Sequence, residues 1–171
     1  LAIAVISFLV WAHHMFVSGL SAYAAMIAST TQLNTPGTAL ADMAGVHALT
    51  DVTGFGLLGH LLEVCKGSNL AATLRWDSVP LLPGVIDLAR AGIKTGASAR
   101  NWSGYGQHVD LRNHTEIERN LLTDPQTSGG LLVTCTPGSV ADVMSLFRTQ
   151  GFDRVAEIGE MHSGLPAIRI E

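Results

Sequence analysis

The sequence predicts an α+β layered fold on three observations. Apolar runs of strand length alternate with helical periodicities, the alternation carries no regular βαβ repeat, and two glycine-rich acidic turns each sit beside a strand-like run. The turns are DVTGFGLLGH at residues 51–60 and LTDPQTSGG at 122–130. With 171 residues and a net charge of −4, the chain is long enough for one domain with a real core and an appendage, and too acidic for a general nucleic-acid binder.

Residues 1–20, LAIAVISFLVWAHHMFVSGL, are almost wholly apolar, and Asp42 is the first charged residue of the chain. A helix of that length crosses roughly 30 Å of hydrocarbon at about 1.5 Å per residue. The stretch therefore reads as an extra apolar helix, either membrane-crossing or a foreign, fused or misassembled segment joined near Gly19–Ser21. A signal peptide fits poorly because the run has no basic flank. His13 and His14 would project about 100° apart on a helix, a poor closed metal site without a third ligand. The expected domains are the helix at 1–20 and a mixed domain at 21–171.

In that domain SAYAAMIASTTQLN at 21–34 predicts a helix with Tyr23, Ala24, Ile27 and Leu33 facing inward, ended by Pro36-Gly37. A short helix at 38–44 and a strand at 46–50 follow. Residues 54–66 predict a helix stopped by Gly67, burying Phe55, Leu58, Leu61, Leu62 and Cys65. A strand at 70–76 and a helix at 84–91 come next, and residues 93–114 then lack either period and predict a long loop, either mobile and functional or a plain connection. A helix at 116–122, a buried strand at 130–135, a helix at 138–150 with the stripe Val140, Val143, Met144 and Phe147, and strands near 154–159 and 166–170 complete the chain. Cys65 and Cys135 read as small buried hydrophobes.

Chemistry concentrates at the two turns. Asp51 stands where a strand runs out and a helix is about to begin, so its carboxylate can ligate Mg²⁺ while Thr53, Gly54 and Gly56 bring backbone close to a phosphate; the alternative is that Asp51 or Thr53 merely caps the helix. Gly54, Gly56 and Gly59 spell a dinucleotide-binding pattern with Asp77 downstream, but the polar Asp51 and Thr53 open the turn and no further βαβ units follow. In the second turn Pro125 holds Asp124 extended, and Thr127, Ser128, Gly129 and Gly130 form either an anion-holding nest or an Asx-type turn. Arg100, Asn101, Trp102 and Tyr105 in the expected loop either meet a nucleotide or pack on the surface. His47, His60, His108, His114 and His162 show no ligand spacing.

From Ser21 to Glu171 the chain resembles the C-terminal half of selenophosphate synthetase (selenide, water dikinase), on the strength of DVTGFGLLGH and DPQTSGG. The resemblance implies a layered α/β/α domain of the aminoimidazole-ribonucleotide synthetase-like group. It implies an ATP- and Mg²⁺-dependent, cytoplasmic, dimeric enzyme making selenophosphate, AMP and phosphate from selenide, ATP and water. It also implies an Mg²⁺-binding role for Asp51 and places the DPQTSGG segment near the active cleft. In that family the nucleotide, the catalytic Cys or selenocysteine and a Lys belong mainly to an N-terminal half, so the expectation is a domain inactive unless that partner half is supplied. A sister ATP enzyme acting on a purine or thiamine intermediate shares the architecture. A membrane-tethered, non-catalytic module is the reading that follows if residues 1–20 are genuine. WAHHMF at 11–16 resembles a copper-binding helix of haem-copper oxidase subunit I, and nothing else in the chain does.

Overall fold

The computed structural model describes residues 2–4 and 20–171. In chain order the elements are β1 (Ala2–Ala4), α1 (Leu20–Thr31), α2 (Pro36–Ala41), β2 (Val46–Asp51), α3 (Gly56–Ser68), β3 (Ala71–Leu74), α4 (Val85–Arg90), α5 (Gly96–Tyr105), β4 (Val109–Asp110), α6 (Glu116–Leu122), β5 (Leu131–Cys135), α7 (Val140–Thr149), β6 (Glu157–His162) and β7 (Ile168–Ile170). Single 3₁₀ turns stand at Trp76–Ser78, Gly106–His108 and Pro137–Ser139.

The strands form one sheet in the order β2-β5-β1-β6-β3-β7-β4. Pairing is antiparallel from β2 through to β3, and β7 runs parallel to both β3 and β4. Such a mixed sheet, without successive parallel crossovers, is what the irregular alternation of the sequence predicts. Alternation along β5 sorts its side chains onto two faces: Leu132 joins α3 in one core cluster, while Leu131, Val133 and Cys135 join α2 and α7 in another. Helices therefore cover both faces in an α/β/α layering. Cys65 and Cys135 are buried in different clusters, and among the described residues neither forms a disulfide.

Ala2–Ala4 form a strand between β5 and β6, where the sequence predicts the start of an apolar helix. Residues 5–19, with His13 and His14, lie outside the described residues. Among the described residues no helix is long and apolar enough to cross a membrane.

Several boundaries differ from expectation for local reasons. In α1 it is Met26 that is buried, with Tyr23 packed beside the same cluster, whereas Ile27 and Leu33 are 40% and 76% exposed. The hydroxyls of Thr30 and Thr31 bond back to carbonyls of the preceding turn, and the helix stops there. Helix α3 runs through Gly67 and ends at Asn69, which adopts the left-handed conformation (φ 52°) usually left to glycine. The largest difference is at 93–114, which holds α5, a 3₁₀ turn and β4 instead of an irregular loop.

Candidate functional site

The ladder between β2 and β5 ends with Asp51 opposite Leu131, and the two glycine-rich turns meet at this end of the sheet. Val52 is buried and donates its N–H to the Gly130 carbonyl at 2.9 Å, and the Gln126 N–H bonds the Thr53 carbonyl at 3.0 Å. Glycine is required where the turns touch. A Cβ on Gly129 would lie 1.8 Å from the Val52 oxygen, and Gly56, at φ +69°, would place one 2.6 Å from the Thr123 carbonyl carbon. Asn34 adds a bond from Nδ2 to the Gly129 carbonyl at 2.9 Å.

Helix α5 forms because Thr95 caps it, its hydroxyl accepting from the Ser98 N–H, and because its polar residues are satisfied by the two turns. Asn101 bridges the turns, donating from Nδ2 to the carbonyls of Gly54 and Thr123, each at 2.9 Å. Ser98, almost fully buried, lies 2.7 Å from both the Asn120 carbonyl and the Thr123 hydroxyl. The Tyr105 hydroxyl donates to the Phe55 carbonyl at 2.6 Å, and burial raises its pKa. The Trp102 ring carries the Arg119 guanidinium 5.4 Å from its centre. Arg100 is exposed.

The site residues read from the sequence divide by depth. Asp51, Gly54, Thr127 and Ser128 are exposed, with Ser128 in the left-handed region at φ 50°. Thr53 is half-buried, and Gly56, Asp124, Gly129 and Gly130 are buried. Neither Asp51 nor Thr53 caps α3, since the N-cap position is Phe55 and no side chain accepts there. Phe55, expected in the core, is 53% exposed. Thr53 Oγ1 instead lies 3.1 Å from His60 Nε2, a histidine that no ligand spacing in the sequence singles out.

Asp124 is the unusual group. It is 2% exposed, Oδ1 accepts from the Thr95 hydroxyl at 2.8 Å, and Oδ2 has no hydrogen-bond partner among the described residues. Burial raises its pKa to about 7 against the opposing pull of the Thr95 bond, so at neutral pH much of it is un-ionised. The Gln126 side chain covers the same corner, donating to the Asp124 carbonyl at 2.9 Å. Among the described residues no group of three or more His, Cys, Asp or Glu converges as a metal cage. Of the two turns' own carboxylates, Asp51 is exposed and Asp124 is buried.

A family described as AIR synthase related protein, C-terminal domain, matches residues 28–165, the stretch that holds both turns. The chain belongs to this family. Curated relatives named selenide, water dikinase resemble this AIR synthase related domain closely: 57% identity over 149 residues for Dechloromonas aromatica and 59% over 143 for Paraburkholderia xenovorans. These matches take in 86% and 83% of the chain but only 43% and 40% of the relatives. The domain therefore spans about two fifths of the length of the curated relatives it matches. Its fold is shared with thiamine-monophosphate kinase from Stenotrophomonas maltophilia at a TM-score of 0.63, with 19% identity over 99% of this chain and 49% of that one. The hydrogenase maturation protein HypE of E. coli matches at 0.62, with 15% identity over 99% and 45%.

Proposed function

We propose that this chain is the C-terminal domain of an ATP-dependent selenide, water dikinase, and that it works only with the N-terminal half that the longer relatives carry. The observation that carries the proposal is the junction of DVTGFG and DPQTSGG, which leaves Asp51 exposed at the rim with no ion pair among the described residues. A hard carboxylate without a competing cation suits Mg²⁺, which takes one or two carboxylates and completes its shell with phosphate oxygens and water. The uncapped start of α3 leaves backbone N–H groups suited to a phosphate. Thr53 and Gly54 would line that approach, with Thr127 and Ser128 at its outer edge, while Gly56, Asp124, Gly129 and Gly130 hold the two turns together.

ATP as substrate is supported by the names of the dikinase relatives and by a HypE neighbour solved in complex with ATP, of 18% identity and TM-score 0.51 over 79% of this chain. Bound Mg²⁺ would supply charge neutralisation at the transferring phosphate. This chain's residues would orient it and keep the rim rigid. The complete enzyme would be a cytoplasmic homodimer without a nucleic-acid ligand.

The test is to express the chain with the N-terminal half of the Dechloromonas relative and follow AMP release from ATP. Selenide-dependent AMP is expected from the pair, none from the chain alone, and a loss of at least about 100-fold on Asp51→Asn. Full activity of the Asp51→Asn pair would remove the metal role, and AMP formation by the chain alone would remove the need for a partner half.

A further inference from the structure

The sheet is continuous only through its third strand. β5 pairs with β2 and β1, β6 pairs with β1 and β3, and among the described residues no ladder joins β5 to β6. Neighbouring strands stand about 4.8 Å apart, so without Ala2–Ala4 the walls β5 and β6 would be roughly 10 Å apart, too far to bond each other. The slot lies inside the molecule. β5 is buried at all five positions, and Ile158, Gly159 and Met161 of β6 are buried as well. An empty slot would leave two rows of buried backbone N–H and C=O groups without partners, which folded chains rarely allow. The strand that fills it stands apart from the rest of the domain. The family match takes in β2 to β6 and begins at residue 28, well after β1. The β1–β6 ladder shifts register between Ala2 and Ala4, whereas β3 holds the other edge of β6 in unbroken register from Ala71 to Leu74.

We infer that the gap between β5 and β6 is a strand-acceptor site, into which the N-terminal half of the longer relatives lays an extended, uncharged segment antiparallel to both walls. Ala2–Ala4 hold that place in this chain. The inference deepens the proposed dependence on an N-terminal half and rests on it. Chain order decides which segment is meant. The slot's strand precedes α1, and more than half of each relative's length lies outside the match, so the occupant is the stretch that leads from the N-terminal half into α1. Its chemistry follows from the walls. Backbone groups on both sides bind an extended chain of any sequence, while buried Leu132 and Val133, on opposite faces of β5, exclude a charged side chain between them and β6. The first 41 residues here carry no Lys, Arg, Asp or Glu and meet that condition. The slot also touches the site. β5 begins directly after Gly130 and pairs through Leu131 with Asp51, so a strand laid along its other edge steadies the junction of the two turns.

Amide hydrogen exchange tests the slot in the full chain, in residues 20–171 alone, and in 20–171 co-expressed with the N-terminal half of the Dechloromonas relative, taken up to where the match begins. The slot-facing amides within 133–135 and 157–160 should be protected in the full chain, exchange at least about 100-fold faster in 20–171, and be protected again in the pair. The same half shortened at its C-terminal end by about 40 residues, enough for a strand and its connection, should not restore them. Unchanged protection in 20–171 overturns the inference. If 20–171 does not fold alone, its recovery with the long half and not with the short one supports the slot, and equal recovery with both, or with neither, overturns it. A lock gives a second reading in the intact chain. Ala2→Cys stands opposite Cys135 in the ladder, at a spacing that suits a disulfide, and the oxidised variant should bind the long half at least about 10-fold more weakly than its reduced form. Equal binding by the two forms removes the slot. Selenide-dependent AMP release keeps this inference separable from the activity beneath it: AMP from a pair whose slot amides stay unprotected removes the slot and leaves the activity standing, and protection without AMP does the reverse.

Discussion

Replacing Asp124 by asparagine should change how stability depends on pH more than it changes stability at any one pH. The carboxyl titrates at about 7 in the fold against an ordinary value of 3.8. The folded state therefore holds its proton more tightly than the unfolded chain does. Between about pH 4 and 7 the fold binds more protons than the unfolded state, so this group's contribution to stability declines as pH rises and levels off above 7. At 1.36 kcal/mol per pH unit the ceiling on that loss is roughly 4 kcal/mol, and relaxation around the ionised group should leave about 1–3.

Asparagine keeps an oxygen for the Thr95 hydroxyl and puts an NH₂ where Oδ2 has no partner among the described residues, a cost of about 1–3 kcal/mol at every pH. Asp124→Asn is thus expected to be less stable than the parent at pH 5 and as stable or more stable at pH 8. Urea unfolding at intervals between pH 5 and 8 measures the difference directly. Other titrating groups cancel in it, including Glu116, which the hydrogen bond from Lys94 holds below its usual range in both proteins. Two parallel stability curves would refute the reasoning, because they would mean that Asp124 titrates at an ordinary carboxylate value despite its burial.

Glycine at the turn contact gives a second test. Gly129→Ala forces a methyl into the Val52 carbonyl and should cost more than about 3 kcal/mol or abolish folding. Gly104→Ala, with nothing within 4 Å of the added carbon inside α5, should stabilise by roughly 0.5–1 kcal/mol, both read by thermal unfolding. Asn101→Ala removes both bonds to the turns and should cost about 1–3 kcal/mol in urea, with hydrogen exchange rising at Gln126 and Gly130. Phe147→Ala, fully buried and edge-on to Phe152, should cost about 3–5 kcal/mol by the same unfolding assay. Cys65, pushed up to about 11 by burial, should react with a thiol reagent at pH 8 only as fast as the protein opens, which denaturant-dependent labelling will show.

How much of this was legible in the sequence depends on where the stabilising contacts lie. The buried strand at 131–135 and the helix at 116–122 could be read because their signals are local: a continuous apolar run, and a capping box in which Thr115 and Glu118 satisfy each other's backbone. Helix α5 could not be, because GASARNWSGY has no apolar period and its stability comes from Ser98, Asn101 and Tyr105 bonding to groups some 20 to 50 residues away. The Thr95-x-x-Ser98 cap was the one local clue. At the site, Asp51 and both glycine turns stood out by composition. Thr95 and His60 did not, since a hydroxyl two helices away and a lone histidine carry no spacing to mark them.

The residues of the two motifs also do different work, and depth separates them. Asp124, Gln126, Gly129 and Gly56 spend their chemistry on closing one turn against the other: a Cβ has no room, an N–H finds the carbonyl across the gap, and a carboxyl is shut away from water. Asp51, Thr127 and Ser128 take no part in that closure and stay exposed. A rim held by backbone and buried side chains frees the exposed groups from structural duty, so they can meet a charged ligand without local unfolding. It follows that a motif so rich in glycine need not be a phosphate cradle along its whole length. At Gly129 the small residue serves the neighbouring strand, and the ligand's share of the motif begins only where side chains reach water.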